Sequence, residues 1–302
     1  MNQQPELSVV KVLDFLHIPQ SDLIGYGGEG YVYLYDIDHV VKIYPKSSRE
    51  YLKGVQKLQS FISSFPLPYK TSNILEINNI DSTFYTIELK LDGMTLDKKL
   101  ETLKEKEKYK ALLNFVEAVK YLKVIQVEDK QYGQIIKTSK SISSDSWSGY
   151  LIEKLLMTLT NSSSYLLKDV VDYQKKLELL KSWIYELKNV KKSLVHFDYY
   201  LNNVLVNDNL EITAILDFGT HTVVGDNILD LAGAISFLTL NHHITSKDSN
   251  ILKENFLNEQ DENIMEYFNA YTLYYSFYYS DDLINSYKWC IENLNNQNLW
   301  KF

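Results

Sequence analysis

Cysteine is all but absent: Cys290 is the single one in 302 residues, so no internal disulfide framework can form. In a chain without an export signal, that usage suits a reducing cytoplasm. The opening residues, MNQQPELSVV, lack the basic cluster and apolar core of a secretory signal. Long hydrophobic runs are missing as well. The longest apolar stretches, 212–216 and 229–240, are short or interrupted by Asp230, Gly233 and Ser236, well below the roughly 20 residues a membrane span requires. Nor is positive charge in excess. Lys and Arg number 31 against 39 Asp and Glu, a net charge of −8, which argues against nucleic acid as a partner because phosphate-backbone binding draws on basic patches. An acidic chain suits a cationic ligand better than an anionic one.

What is present reads as an ordinary globular chain, with 45% hydrophobic and 23% charged residues and length for one large domain or two modest ones. Residues 21–44 read as glycine-punctuated strands around the turn Asp36-Ile37-Asp38. Leu52, Val55, Leu58 and Ile62 follow at helical spacing, and Pro66 and Pro68 end that helix. Two strands come next, near 74–77 and 84–91, and Asp92-Gly93 reads as a hinge turn. Beyond the hinge, helical periodicity dominates over 96–125, 147–159 and 165–188, with Ser-rich patches at 138–148 and 161–164 as separators. Strands return over 194–218, and helices resume from Asp226. The expected class is α+β and bilobal, with an N-terminal β-rich lobe over 1–90 and a mainly helical lobe over 91–302.

Three clusters carry chemistry. Gly25-Tyr26-Gly27-Gly28-Glu29-Gly30-Tyr31-Val32 is a complete G-x-G-x-x-G-x-V, and glycine lets a backbone approach phosphate oxygens closely. A strand and a turn follow it instead of a helix, which favours a loop folding over nucleotide phosphates to a dinucleotide-binding unit. Lys42 lies in the next apolar strand, where an edge lysine facing water and a phosphate-pairing lysine are both open readings. The third cluster is His196-Phe197-Asp198-Tyr199-Tyr200-Leu201-Asn202-Asn203, followed by Asp217-Phe218-Gly219. Phosphoryl transfer needs a carboxylate to orient or deprotonate the attacking hydroxyl, and a carboxylate and an amide to hold Mg²⁺ against the phosphates.

This set, H-x-D-x-x-x-x-N then D-F-G then Gly225-Asp226-Asn227-Ile228-Leu229-Asp230, resembles the signature of the aminoglycoside phosphotransferase family. The resemblance is specific over 194–235 and moderate over 23–70. It implies a protein-kinase-like fold and an ATP- or GTP-dependent kinase acting on a hydroxyl of a small molecule. By that resemblance Asp198 is the catalytic base, Asn203 and Asp217 are the Mg²⁺ ligands, and Lys42 is the phosphate lysine. Gly25, Gly27, Gly28 and Gly30 would cover the nucleotide, and the backbone of Leu89 and Leu91 would face adenine. The segment after Gly219 lacks the activation loop of a regulated protein kinase.

Three departures from the family pattern stand out. Phe197 occupies a usual glycine, and Leu201-Asn202 a usual Pro-Gly pair. The glutamate that should pair with Lys42 is expected close to Gly54, and the only glutamate on that helix is Glu50, one turn earlier. Glu50 is therefore the expected partner. His196 and Asp230 are expected to brace the loop, and the Tyr-rich stripe 267–279 to be core. Adjacent His242-His243 read as a capped helix end and not a zinc site. The acceptor stays open between an aminoglycoside-like antibiotic, which would link the chain to antibiotic resistance, and a metabolic alcohol. Asp145, Asp226, Glu259, Asp261 and Glu262 are the candidate carboxylates for a cationic one. A catalytically silent nucleotide-binding module acting through a partner is the competing reading.

Overall fold

Apolar alternation along residues 31–44 puts Tyr33, Val41 and Ile43 on one face of a sheet, where Tyr85 joins them under Val9, Val12 and Leu13 of an N-terminal helix. That helix is α1 (Leu7–Leu16), and the sheet is built from β1 (Leu23–Tyr26), β2 (Tyr31–Leu34) and β3 (His39–Tyr44). After α2 (Arg49–Ser63) come β4 (Lys70–Thr71), β5 (Ile74–Ile80) and β6 (Thr83–Leu89). The five-stranded sheet is antiparallel in the order β1-β2-β3-β6-β5. Its other face carries Val40, Lys42 and Tyr44 opposite Glu88, Thr86 and Phe84. The computed structural model describes residues 5–128, 131–139, 141–188, 190–258, 264–284 and 286–301.

The chain then turns mostly helical. β7 (Met94–Thr95), α3 (Leu96–Leu100) and α4 (Glu105–Lys120) are followed by β8 (Tyr132–Gln134), β9 (Ser143–Ser144), α5 (Trp147–Asp169) and α6 (Tyr173–Glu186). β10 (Ser193–Val195), β11 (Val204–Val206), β12 (Ile212–Ile215) and β13 (Val223–Gly225) form the strand-rich centre. α7 (Ile228–Ser236), α8 (Ser246–Asn258), α9 (Ile264–Tyr278) and α10 (Tyr287–Asn295) complete the described chain. The centre is two small sheets, β10-β13-β8-β9 and β4-β12-β11-β7. β4, from the N-terminal part, runs parallel to β12 and ties the two parts together. The architecture is α+β: an antiparallel N-terminal sheet and a helical C-terminal part, with a large core that runs through the latter and takes in the inner face of α2.

Two helix boundaries differ from the periodicity reading. The Ser-rich patch at 161–164 does not break a helix; α5 runs through it to Asp169. Ser162 is fully buried and accepts a hydrogen bond from the Ser280 hydroxyl at 2.8 Å, so packing overrides the weak propensity of serine. The break comes at 170–172, where Asp172 takes a left-handed backbone (φ 55°). The segment read as one helix over 96–125 is α3, α4 and a closing 3-10 turn.

The chain turns at Asp92-Gly93, as the sequence suggested. Gly93 has φ +122°, and a β-carbon there would lie 2.7 Å from Thr213 Oγ1 and 2.8 Å from the Val206 carbonyl oxygen. Thr213 Oγ1 in turn donates to the Asp92 carbonyl at 2.5 Å. Only glycine fits both the dihedral and the space. Gly93→Ala is expected to destabilise the fold by more than about 1 kcal/mol in urea unfolding; a neutral result would show that the turn is not constrained.

Candidate active site

Asp230 organises the site from below. It sits in the first full turn of α7, and its carboxylate accepts the backbone N–H groups of His196 (2.6 Å) and Phe197 (2.7 Å). Burial pushes its pKa up to about 6, against the pull of His196 and the two amides. His196 is itself buried. Its Nδ1 accepts from the Asp198 amide (3.3 Å), which leaves Nε2 to donate to the Leu216 carbonyl (2.8 Å). The histidine therefore braces the loop against the segment leading to Asp217. The Leu216 amide returns a bond to the Asn203 carbonyl (2.8 Å).

Phe197 shows why a glycine would be easy here. Its φ is +70°, a left-handed conformation that costs a side-chain-bearing residue about 1–2 kcal/mol. Aromatic packing holds it in place: its ring lies edge-on to Tyr274, Tyr275 and Tyr278 of α9, with centroids 5.1–6.4 Å away. Most of the tyrosine-rich stripe is core, as its pattern suggested, with Tyr271, Tyr274 and Tyr275 fully buried. Tyr279 is different, because its hydroxyl reaches Asp198 Oδ1 at 3.4 Å.

Asp198 is half-buried, and the Asn203 side-chain amide clasps its carbonyl oxygen (2.9 Å) and its carboxylate (3.5 Å). That leaves Asn203 Oδ1 with no donor among the described residues. Asp217 also has a left-handed backbone (φ 58°), a form of local strain often found at functional sites. One of its carboxylate oxygens meets the Lys42 ammonium at 3.1 Å, across 175 positions of sequence.

Lys42 is therefore no solvent-facing edge lysine. It bridges Asp217 and Glu29 Oε2, the latter also at 3.1 Å. Burial disfavours its charge, but the surrounding Tyr44, Asp217, Glu29 and Glu88 outweigh that and hold its pKa well above the ordinary value. Glu88 is buried beside it; burial raises its carboxyl pKa, and Lys42 and a hydrogen bond from Thr86 (2.7 Å) partly offset this.

The expected pairing of Lys42 with Glu50 is not what the structure contains. Glu50 is exposed in the first turn of α2. Gly54, the position the spacing pointed to, would bring a β-carbon within 2.9 Å of Ile136, so a glutamate has no room there. Tyr51 turns to the cleft instead. Its hydroxyl donates to Glu29 Oε1 (2.7 Å) and accepts from Thr220 Oγ1 (2.7 Å). The carboxylate that meets Lys42 thus comes from the glycine loop, steadied by the helix. Glu29 stood inside the quoted motif, but nothing in its spacing marked it, and Tyr51 carried no signal at all.

The remaining expected residues fall as follows. Gly25, Gly27 and Gly28 have open space around their α-carbons, so packing does not demand glycine there. At Gly30 a β-carbon would sit 2.1 Å from the Ile43 carbonyl, a packing requirement. Leu89 ends β6, and its amide bonds the Asn73 carbonyl (3.4 Å). The Leu91 amide meets no acceptor among the described residues, as an adenine-facing N–H would require. Of the carboxylates considered for a cationic ligand, Asp226 is buried and taken by the Tyr271 hydroxyl (2.6 Å), and Asp145 bonds Gln131 (3.2 Å). Glu259, Asp261 and Glu262 lie outside the described residues. His242 and His243 lie with ring centroids 3.9 Å apart and their planes tilted by 42°, and no group of three or more metal-ligating side chains forms among the described residues.

Two substitutions at Phe197 separate packing from strain. Phe197→Ala is expected to lose roughly 3–5 kcal/mol of stability through the cavity left behind. Phe197→Gly is expected to lose about 1 kcal/mol less, since glycine alone is free at φ +70°. A glycine variant less stable than the alanine one would contradict the strain.

Comparison with known proteins agrees with this architecture. Solved structures similar along nearly their whole length include the complex of APH(2")-IIa with streptomycin and ATP, at 17% identity and a TM-score of 0.63, covering 99% of this chain and 100% of that one. The GDP and kanamycin complex of an APH(2") enzyme has 16% identity and a TM-score of 0.63, covering 98% and 100%. APH(3'')-Id from Streptomyces rimosus, with ADP and streptomycin, has 13% identity and a TM-score of 0.60, covering 97% and 99%. No curated protein sequence matches. At these identities the likeness speaks for the fold, a kinase-like one shared over the full length. The model of the phosphotransferase enzyme family APH matches residues 39–263, well over half of the chain, and the protein belongs to that family.

Proposed function

We propose that the protein transfers the γ-phosphoryl group of ATP or GTP to a hydroxyl of a small molecule, with residues 1–90 as the nucleotide lobe and 91–302 as the catalytic and acceptor lobe. The observation that carries this is the meeting of Lys42 with Asp217 in a cleft where Asn203 clasps Asp198. The open loop of Gly25, Gly27 and Gly28 and the free amide of Leu91 support nucleotide binding at the same place. No helix among the described residues is long and apolar enough to cross a membrane.

In this reading Lys42 holds the α- and β-phosphates. Asp198 accepts the proton of the acceptor hydroxyl while its oxygen bonds to the γ-phosphorus and the bond from phosphorus to the β–γ bridging oxygen breaks. Magnesium fits the donors present: Asn203 Oδ1 and the second oxygen of Asp217 are hard oxygen ligands that no described residue occupies. Bound there, it would neutralise phosphate charge and draw its remaining ligands from phosphates and water. The silent-module alternative was motivated by the missing helix glutamate and by Phe197. Glu29 stands in for the first, and packing accommodates the second.

Asp198→Asn is expected to keep the thermal stabilisation by Mg-ATP and lose about 10²–10⁴-fold in turnover. Asp217→Asn should lose both. Equal ATP turnover by wild type and Asp198→Asn with every acceptor would return the silent module. Because Glu29 and not Glu50 steadies Lys42, Glu29→Gln should lower kcat/KM roughly 10- to 100-fold. Glu50→Gln should stay within about twofold, as exposed charges usually do. The reverse ranking would sink the Glu29 assignment.

A further inference from the structure

Glu88 is a buried carboxylate that the phosphoryl-transfer chemistry leaves unused. It stands in β6 one residue before Leu89 and is 8% exposed. The hydroxyls of Thr86 and Tyr44 both donate to one of its oxygens, Oε1, at 2.7 and 3.4 Å. Oε2 meets no donor among the described residues, and Lys42 makes its ion pairs with Glu29 and Asp217. Among those residues, the side-chain oxygens sealed from water without a partner are the hydroxyls of Ser47 and Thr71. Glu88 Oε2 is not one of them, so it keeps an opening. A carboxylate oxygen held largely away from water is unfavourable until a donor completes it.

Strand register gives the direction of that opening. Residues directly opposite in an antiparallel pair share a face of the sheet. Val40 lies opposite Glu88 and Lys42 opposite Thr86, so the carboxylate is on the face that carries Lys42, away from α1. Lys42 is two residues along β3 from Val40, roughly 7 Å of extended chain. On its other side Glu88 leads to Leu91, whose amide meets no acceptor. A nucleotide with its phosphates at Lys42 and its base at 89–91 therefore passes Glu88 at the edge of the base. Two unpaired groups of opposite kind wait there, a donor from Leu91 and an acceptor from Glu88. Adenine complements both, because its N1 accepts and the neighbouring 6-amino group donates. Guanine reverses both, with an N1–H and a 6-oxo group. Burial raises the Glu88 pKa, while the Lys42 charge and the bonds from Thr86 and Tyr44 oppose this and favour the ionised, acceptor-only form.

We propose that Glu88 selects the phosphoryl donor, accepting a hydrogen bond from the 6-amino group of adenine and repelling the 6-oxo group of guanine. The co-substrate is then ATP and not GTP. This rests on the phosphotransferase reading above, which leaves both nucleotides open, and it gives Glu88 a role separate from the charge of Lys42.

The test titrates the full-length protein with the magnesium complexes of ADP, GDP and IDP, reading affinity from calorimetry and from the thermal shift. IDP carries the 6-oxo group of GDP without its 2-amino group. ADP is expected to bind roughly 10- to 100-fold more tightly than either of the others, with GDP and IDP alike. In Glu88→Gln the amide oxygen can still accept from Thr86 and Tyr44, and the amide nitrogen can donate to a 6-oxo group. That variant should weaken ADP, tighten GDP and IDP, and bring the three within a few-fold of one another. Equal binding of ADP and GDP by wild type, a preference for GDP, or IDP binding as ADP does would overturn the assignment. So would a Glu88→Gln variant that weakens all three by one factor, which would make Glu88 a support for Lys42. Should that variant fail to fold, the three wild-type affinities decide alone. No response to any nucleotide would strike the phosphotransferase reading itself, and the assignment with it.

Discussion

One buried carboxylate, Asp230, holds the His196–Asn203 loop in shape by accepting two consecutive backbone amides, those of His196 and Phe197. Consecutive amides pointing the same way require a kinked backbone, and that kink is the left-handed conformation of Phe197. Turned this way, the chain sets the Asp198 side chain at the cleft while the Phe197 ring goes down into the tyrosines of α9. The carboxyl's pKa of about 6 reflects how little water reaches it. With its two amide donors present, burial is tolerated; without them it would be a strongly unfavourable site for a charge.

Above that anchor, the N-terminal sheet and glycine loop meet the segment after β12 through charge. Lys42 comes from the N-terminal sheet, Asp217 from the end of the central hairpin, and Glu29 from the glycine loop. Both carboxylates remain substantially exposed, so the contact contributes geometry more than stability. Tyr51 and Thr220 extend it into a relay that links loop, helix and the segment after Gly219. In a kinase-like fold the helix itself commonly supplies the carboxylate. Here Gly54 packs too tightly against Ile136 for that, and a tyrosine one turn earlier carries the connection indirectly.

Around Phe197 the organising contact is aromatic packing instead of charge. The tyrosines at the end of α9 and just past it grade from wholly buried, at Tyr274 and Tyr275, to half-buried at Tyr279, whose hydroxyl reaches Asp198. From α5, the Lys154 ammonium lies over the Tyr278 ring, 5.6 Å from its centroid.

The sequence by itself determined the loop chemistry, because those features are local. Glycine spacing, the five-residue interval from Asp198 to Asn203, the strand around Lys42 and the helical carboxylate at Asp230 all follow from short-range backbone periodicity, and each sits in the element its pattern implied. Only the tertiary structure decided which carboxylate meets Lys42, since the choice between Glu29 and Glu50 depends on how α2 is phased against Ile136. It also decided that Ser162 lies inside a helix, because a partner 118 residues away satisfies its hydroxyl. In a stripe of near-identical tyrosines, which hydroxyl reaches Asp198 is set by how rigid helices pack, and no spacing along the chain encodes that.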